Sequence, residues 1–222
     1  MERILRNSKS LCGIYLIQKI KMPISILPKI IEYDKELFIF INNHYLTQID
    51  PIMSFMSAKL VWIPMYLAIA IWLFFVKRGL GDIRKQLLWG TILLIAVIVT
   101  FALTDSIAYQ IKLIVERLRP NKDDSIIPFM RMVSKPGNDL YGFVSNHASN
   151  VFGFALITAL FIRKHWYTIT IFFWAALVAY SRIYLGKHFP LDVICGALLG
   201  LAIAIIVYKF TVLLLNKYLK RD

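Results

Sequence analysis

The sequence is short of charge, and above all of acidic charge. Charged residues make up 18% of its 222 positions, against about 25% in a typical soluble domain, while 59% are hydrophobic. This balance excludes a disordered chain and argues against a soluble globular domain. Only 13 acidic residues oppose 26 lysines and arginines, so the net charge is +13. The composition therefore indicates a membrane protein whose surplus cations meet acidic lipid headgroups or an anionic substrate.

Cysteine is also scarce. Cys12 and Cys195 are the two copies, and the second lies within an apolar run. No disulfide framework is implied, and no group of cysteines and histidines has the spacing of a zinc site. A polar domain that would present a face to nucleic acid is missing as well. We therefore predict no nucleic-acid partner.

Long apolar runs, in contrast, are plentiful. Four of them approach the length of about 17–25 residues that a transmembrane helix needs. A fifth run, 151–162, reaches that length only if its helix begins near Phe143. We predict an all-α fold, a polytopic membrane helical bundle with five core spans and possibly a sixth. The four long runs are 60–76, 87–104, 166–181 and 193–208.

The N-terminal region has several interpretations. The run 11–18 is apolar, but lysines and prolines follow it, so an N-terminal interfacial helix is favoured over a sixth span. Translation from Met22 is a further alternative. The stretch 32–43 is expected to be an amphipathic surface helix that leads into the first span. The chain is thus divided into an interfacial segment at 1–50, a membrane domain at 51–215 and a cytoplasmic tail at 216–222.

Charge in the connections predicts the orientation. The short connections 77–85 and 163–165 and the C-terminal tail are basic, and five spans place all three on one face. The positive-inside rule makes that face cytoplasmic. The loop 110–142 and the segment 182–190 then lie on the opposite face, which is the periplasm in a bacterium and the lumen in a eukaryotic organelle. Of these two settings we expect the first, a multi-pass protein of the bacterial inner membrane.

The first of three polar clusters is KLIVERLRP, from Lys112 to Pro120. Pro120 is expected to end a helix, because the residue before a proline disfavours the helical conformation. On such a helix Asp105, Lys112 and Arg119 lie seven residues apart and share one face. The plainer interpretation is that both cations extend to lipid phosphates.

The second cluster directly precedes the fifth apolar run and contains Ser145, Asn146 and His147. A helix that begins here aims free backbone N–H groups at an anion. The plainer interpretation is a serine that caps the helix, with His147 as a passenger.

The third cluster runs from Ser181 and Arg182 through His188 to Asp192. Four residues separate His188 from Asp192, so their side chains can meet on one helical turn. A carboxylate that accepts the ring N–H fixes the tautomer and leaves the other nitrogen free to attack. An interfacial histidine beside a capping aspartate is the alternative.

The predicted topology brings the three clusters to one face. Lys112, Arg119 and Arg182 supply the dispersed positive charge that phosphate oxygens require. One neutral histidine can attack phosphorus, and another can protonate the leaving oxygen. A metal held by His147, His188 and Asp192 is disfavoured, because three cations nearby would repel it. The chemistry that fits these side chains is phosphoryl transfer.

Together the clusters resemble the type 2 phosphatidic acid phosphatase (PAP2) superfamily, which includes membrane lipid phosphatases and soluble vanadium haloperoxidases. Its motifs are K-x6-RP, PSGH and SR-x5-H-x3-D. The first is complete from Lys112 to Pro120, and the third is complete from Ser181 to Asp192. The second is degenerate and reads VSNH at 144–147. The resemblance covers roughly residues 50–210.

The resemblance implies a role for each matching residue. His188 is the expected nucleophile and forms a phosphohistidine, Asp192 orients it, and His147 serves as acid and then as base. Asn146 stands where the family has glycine, and asparagine is among the non-glycine residues that best tolerate a left-handed backbone. The expected phosphate-binding groups are Lys112, Arg119, Ser145, Arg182 and the backbone N–H of Asn146.

The function that this resemblance implies is hydrolysis of a phosphate or diphosphate monoester on a membrane lipid, without metal or cofactor. Undecaprenyl diphosphate and lipid A are the favoured substrates, ahead of phosphatidylglycerophosphate and phosphatidic acid. The alternatives are a lipid phosphoryltransferase and a non-catalytic anionic-lipid binder or transporter. Tyr109, Tyr184 and Lys187 are further candidates for headgroup contact, whereas His44 and His165 are expected away from the site.

Overall fold

The computed structural model describes residues 26–76, 82–133 and 138–219. Within these ranges the chain forms seven α-helices, four short 3-10 turns and no β-strand, so the predicted all-α fold is confirmed. The helices are α1 (Ile26–Asn43), α2 (Asp50–Ser57), α3 (Ile63–Leu73), α4 (Ile83–Val115), α5 (Asn146–Ile162), α6 (His165–Tyr184) and α7 (Pro190–Leu219).

Two helices, α4 and α7, are long and apolar enough to cross a membrane. A third apolar unit is bent, because its halves Thr47–Ser57 and Leu60–Leu73 meet at 69°. Helix α5 is apolar but has only 17 residues. Length and composition therefore support two or three spans in the described part of the chain, and the count of five or six stays a prediction.

Some predicted boundaries differ from the observed ones. The run 60–76 supplies a 3-10 turn and then the 11-residue helix α3, and the 69° bend lies directly before it. Helix α5 begins at Asn146 and not near Phe143, because Ser145 caps it. Helix α7 continues through the predicted start of the tail, at 216, to its end at Leu219.

The N-terminal predictions have two outcomes. The proposed helix at 11–18 and the alternative start at Met22 lie outside the described residues. The amphipathic helix predicted at 32–43 is confirmed within α1. Its buried face consists of Asp34, Phe38 and Asn42, which are spaced four apart and are at most 4% exposed.

Helix α1 packs on the connection between α6 and α7. The ring of Phe38 meets that of Phe189 edge to face, with centroids 5.3 Å apart. The amide of Asn42 donates to the Tyr184 carbonyl at 3.0 Å and accepts from the Arg131 N–H at 2.6 Å. The N-terminal helix is therefore part of the structure that surrounds the third polar cluster.

Helices α5 and α7 approach each other closely because glycines line their contact. A Cβ on Gly196 would lie 2.6 Å from the Ser145 carbonyl oxygen, and one on Gly200 would collide with the carbonyl oxygen of Ser149. Small residues four apart allow such close backbone contact between membrane helices. As a result the Ser145 N–H donates to the Asp192 carbonyl at 2.9 Å, so the second and third clusters adjoin.

An aromatic group fills the bundle beneath these clusters. The ring of Tyr66 packs edge to face on Phe154 and Trp174, at centroid distances of 4.9 and 6.0 Å. Trp62 meets Trp174 at 5.4 Å in the same way. Edge-to-face rings add to the stability that comes from burial of apolar area. This packing joins the bent α2–α3 pair to α5 and α6.

Candidate active site

The turn after α6 explains the spacing between Arg182 and His188. Gly186 has a φ of 71°, and its N–H donates to the Ile183 carbonyl at 3.0 Å. The Lys187 N–H donates to the Arg182 carbonyl, also at 3.0 Å. These two bonds define a Schellman helix end, whose left-handed position favours glycine. The His188 N–H then donates to the same Arg182 carbonyl at 3.2 Å, which folds the histidine back onto α6.

His188 and Asp192 meet across the start of α7. The Nδ1 atom of His188 lies 3.5 Å from Oδ2 of Asp192. That oxygen also accepts the Phe189 N–H at 3.0 Å. The predicted contact therefore forms, but His188 precedes the helix and does not share a helical turn with Asp192. Both side chains are buried, at 1% and 0% exposure.

The ring of His188 is held neutral. Burial lowers its pKa well below the ordinary value of 6.5, and the charges of Arg182, Arg119 and Lys112 lower it further. Within the described structure Nδ1 has no hydrogen-bond partner, since 3.5 Å exceeds the usual range. Such bonds are often long before substrate binds. A neutral imidazole with its Nδ1 aimed at a carboxylate is the nucleophilic form.

A second arginine, which the sequence analysis missed, holds Asp192 from another direction. The Nη1 atom of Arg117 lies 2.9 Å from Oδ1 of Asp192, and its Nη2 atom lies 2.5 Å from Oδ2 of Asp34. The guanidinium also sits 4.2 Å from the centroid of the Phe189 ring. Arg117 therefore joins α1 to the first turn of α7 with both ends of its fork paired.

Asp34 was missed as well, although a signal existed. It is the one acidic residue on the buried face of the amphipathic helix α1. Burial raises its pKa above the ordinary value of 3.8, while hydrogen bonds from Arg117 and from the Leu191 N–H favour the ionised form. A carboxylate on an apolar face predicts a buried cationic partner.

Helix α4 ends at Val115, earlier than the predicted end near Pro120. Glu116 takes a left-handed conformation with a φ of 52°, and its N–H donates to the Lys112 carbonyl at 3.0 Å. The prediction that Lys112 and Arg119 share one helical face is therefore wrong. Lys112 lies on the last turn of α4, and Arg119 lies on an extended segment beyond it.

Two extended segments, 117–119 and 140–142, bring Arg119 back to the site. The Arg119 N–H donates to the Leu140 carbonyl at 3.1 Å, and the Gly142 N–H donates to the Arg117 carbonyl at 2.8 Å. Gly142 lies against the third cluster, because a Cβ there would be 2.9 Å from Oδ2 of Asp192. This short pairing replaces the helix that the sequence pattern predicted.

A cavity of about 300 Å³ collects most of the predicted residues. Its wall carries four cations, both candidate catalytic histidines and two carboxylates, so it suits an anion that exchanges protons. Lys59, Asp105 and Asp139 belong to this wall although the sequence analysis gave them no role there. The polar lining consists of Lys59, Asp105, Tyr109, Lys112, Arg119, Asp139, Tyr141, Asn146, His147, Arg182 and His188.

Arg182 is the most buried cation of the cavity, at 5% exposure. One nitrogen donates to the hydroxyl of Ser57, and its Nε atom has no hydrogen-bond partner in the described structure. A buried guanidinium without a carboxylate is costly. Its open donors are therefore available to the oxygens of a bound phosphate.

The guanidinium of Arg119 already has two partners. Its Nε donates to the Tyr141 carbonyl at 3.1 Å, and one terminal nitrogen lies 2.9 Å from a carboxylate oxygen of Asp139. The Asp139 side chain is 79% exposed, so this ion pair is weak and screened by solvent. A bound phosphate can take the place of that carboxylate.

Asn146 is the first residue of α5 and does not need a left-handed backbone. Apart from glycine, the described residues with a left-handed backbone are Glu116 and Arg163. The Asn146 side chain accepts from Lys112 and donates to the Asp105 carboxylate at 2.8 Å. It therefore links α5 to the predicted stripe of Asp105 and Lys112 on α4.

Ser145 and His147 have different positions at this helix start. The hydroxyl of Ser145 is fully buried and accepts the Ala148 N–H at 3.4 Å. Ser145 thus has the capping role that was its alternative interpretation, and it is not part of the cavity wall. Asp192 also lies behind the wall, whereas His147 lines it.

The remaining candidates separate clearly. Tyr109 lines the cavity. Tyr184 is buried and donates to Asp50, so it does not face a headgroup. Lys187 is not among the lining residues. The His44 ring lies 2.7 Å from the Phe40 carbonyl oxygen, and His165 begins α6 at the end opposite to Arg182.

Comparison with known proteins agrees with this geometry. Residues 87–214, which include all three clusters, match the PAP2 superfamily. A lipid A 4'-phosphatase from Porphyromonas gingivalis is 33% identical over 180 residues, which cover 81% of this chain and 73% of that one. An undecaprenyl-diphosphatase from Sulfolobus acidocaldarius is 31% identical over 173 residues, which cover 77% and 74%.

The fold has a counterpart among solved structures. A transmembrane PAP2-type phosphatidylglycerolphosphate phosphatase from Bacillus subtilis superposes with a TM-score of 0.61 at 21% identity. The match covers 91% of this chain and 94% of that one. At this identity the likeness concerns the arrangement of the helices.

Proposed function

The chain belongs to the PAP2 superfamily, and we propose that it is an integral membrane phosphatase that removes the 4'-phosphate of a lipid A-type glycolipid. The observation that carries the proposal is the cavity in which Lys112, Arg119 and Arg182 meet His147 and a buried, neutral His188. The identity with a lipid A 4'-phosphatase supports the choice of lipid.

The first step transfers the phosphoryl group to His188. The three cations bind the non-bridging oxygens and neutralise the charge of the transition state. The free ring nitrogen of His188 attacks phosphorus, so a P–N bond forms while the bond from phosphorus to the sugar oxygen breaks. Burial and the charge of Arg182 lower the pKa of His147 in the absence of substrate, so His147 takes up its proton together with the phosphate dianion and then gives it to that oxygen. Asp192 accepts the Nδ1–H of His188 and stabilises the positive charge that develops on the ring.

The second step returns the enzyme to its starting state. His147, now neutral, takes a proton from a water molecule, whose oxygen attacks phosphorus. The P–N bond breaks, inorganic phosphate leaves, and His188 is neutral again. His147 is reprotonated in the same step and is ready for the next substrate.

The active site is proposed to face the periplasm from the bacterial inner membrane. Helix α4 is long and apolar enough to cross a membrane. Arg84 and Lys85, at the end of the basic connection 77–85, lie in its first turn, and Lys112 of the cavity lies in its last turn. The basic connection is therefore assigned to the cytoplasmic face by the positive-inside rule, and the cavity to the other face.

A second candidate substrate is undecaprenyl diphosphate. Lys59 adds a fourth cation to the cavity wall, one more than a single phosphoryl group engages in the mechanism above. The identity with an undecaprenyl-diphosphatase supports this candidate as well.

The test is turnover by the purified full-length protein in detergent. Bisphosphorylated lipid A, undecaprenyl diphosphate and phosphatidic acid are each supplied with and without EDTA, and phosphate release is measured with mass analysis of the lipid product. We expect loss of the 4'-phosphate from lipid A, no effect of EDTA and no release by the His188→Ala variant. Preference for undecaprenyl diphosphate would favour the second candidate.

The fate of the phosphoryl group separates hydrolysis from transfer. In ¹⁸O-labelled water the released phosphate should carry one ¹⁸O atom, because water attacks the phosphohistidine. A phosphorylated lipid acceptor without labelled phosphate would identify a phosphoryltransferase instead. Release from no lipid by the natural chain would favour a non-catalytic binder.

A further inference from the structure

A second cavity, of about 250 Å³, opens beside the first. The two share Lys59 and His147, so they meet at the proposed acid of the leaving group. His188 lines the first cavity and not the second. The remaining lining of the second is Met56, Ser57, Ala58, Trp62, Tyr66, Phe101, Asn150, Val151 and Val178.

The in-line geometry of phosphoryl transfer predicts which part of the substrate each cavity holds. In a phosphoryl transfer the attacking atom and the leaving oxygen lie roughly in line on opposite sides of phosphorus. With His188 as the nucleophile and His147 as the acid, the leaving oxygen departs next to His147. The group attached to that oxygen therefore extends into the second cavity.

The wall of this cavity has the chemistry of a sugar site. Trp62, Tyr66 and Phe101 give this wall aromatic side chains, on which the C–H groups of a sugar ring can pack. Ser57, whose hydroxyl accepts from Arg182 and can still donate, and Asn150 add polar groups to the wall. Lys59 is the one lysine or arginine among the described residues that line this cavity. The leaving group of a diphosphate ester would carry a second phosphate, for which this wall offers little positive charge.

We infer that the second cavity binds the sugar ring that carries the scissile phosphate. The inference rests on the proposed function and names its leaving-group subsite. It also gives the bent α2–α3 pair a role, because Lys59, at the break between the two helices, lines both cavities. Ser57, at the same break, accepts a hydrogen bond from Arg182.

Product inhibition probes the two cavities separately. The dephosphorylated lipid occupies the second cavity, and inorganic phosphate occupies the first. In Trp62→Leu the inhibition constant of the dephosphorylated lipid should rise about tenfold, the factor that loss of an aromatic contact predicts. The constant for inorganic phosphate should stay within about twofold of the wild-type value.

The matched control is Trp72→Leu, the same substitution in a helix α3 residue that lines neither cavity. It should leave both constants unchanged. Phe101→Leu alters the cavity wall from α4 and keeps the test valid if Trp62→Leu does not fold; it should weaken lipid inhibition about threefold.

Two results contradict the inference in different ways. If the wall variants change neither constant, or change both in parallel, the second cavity does not bind the sugar although the enzyme is a lipid phosphatase. If the wild-type protein releases no phosphate from lipid A, the proposed function fails and the inference falls with it.

Discussion

Two arginines near the active site differ in their side-chain partners, although both are largely buried. Arg117 places its two terminal nitrogens on the carboxylates of Asp34 and Asp192. Arg182 has a hydroxyl as its side-chain partner and an Nε without any hydrogen bond in the described structure. Paired charge holds the fold in place, and unpaired buried charge marks where an anion binds.

The two arginines also differ in what they connect. Arg117 joins residues from α1 and α7, so its pairing depends on the whole fold. Arg182 belongs to the helix end that also places His188. The first arginine should therefore matter for stability and the second for chemistry, and the following experiments separate the two.

The largest effect is expected from Arg182→Met. Loss of a cation that stabilises the transition state should lower kcat/KM about 10²–10³-fold. The melting temperature should stay the same or rise, because an unpaired buried charge disappears. Phosphate release and thermal unfolding of the same preparation measure both. A large loss of stability would show that Arg182 is structural.

Arg117→Met should lower folding stability strongly and activity only modestly. It leaves two buried carboxylates without a cation, which costs about 3–5 kcal/mol of folding stability. Activity should fall about tenfold through kcat, because Asp192 is no longer held and phosphate contacts remain. Adding Asp34→Asn removes one of the uncompensated charges and should restore part of the stability. Unchanged melting of Arg117→Met contradicts the comparison.

The pH dependence of stability tests the neutral state of His188 between these arginines. Burial lowers its folded-state pKa, so below about pH 6.5 the unfolded chain binds a proton that the folded chain does not. Stability should therefore fall on acidification, by about 1 kcal/mol from pH 6.5 to 5.5. Comparison with His188→Gln isolates this part, and identical pH slopes would contradict it.

The smallest effect is expected from Asp139→Asn. Its exposed carboxylate is paired with Arg119 at 2.9 Å, and the substrate phosphate must displace it. Without that competition KM should fall about twofold while kcat stays constant, in keeping with a weak surface ion pair. A rise in KM would mean that Asp139 helps to bind the substrate.

The sequence predicted which residues lie at the site better than it predicted how the backbone places them. Four residues were expected on one face, and all four line the cavity: Lys112, His147, Arg182 and His188. Motif spacing and the alternation of spans are local features of the sequence, so they were enough for this prediction. The helix end at Val115 was missed, since Glu116 carries no strong signal for a left-handed position.

Long-range contacts were the main omission. The ion pair of Arg117 with Asp34 spans 83 positions, and no local pattern specifies such a partner. Lys59 reached the cavity wall through the bend between α2 and α3, which lies directly before the apolar run 60–76 and was not predicted. Ser145 was given a phosphate contact, although its capping role was the one that local sequence supported.

The most direct test of the account is to locate the transferred phosphoryl group. The purified enzyme is mixed with lipid A, quenched in alkali to preserve phosphohistidine, digested and analysed by mass spectrometry. We predict a phosphoryl group on His188 in the wild-type enzyme and in smaller amount in Arg182→Met, with none in His188→Ala. Phosphate release at the wild-type rate by His188→Ala, or a phosphoryl group on another residue, would contradict the account.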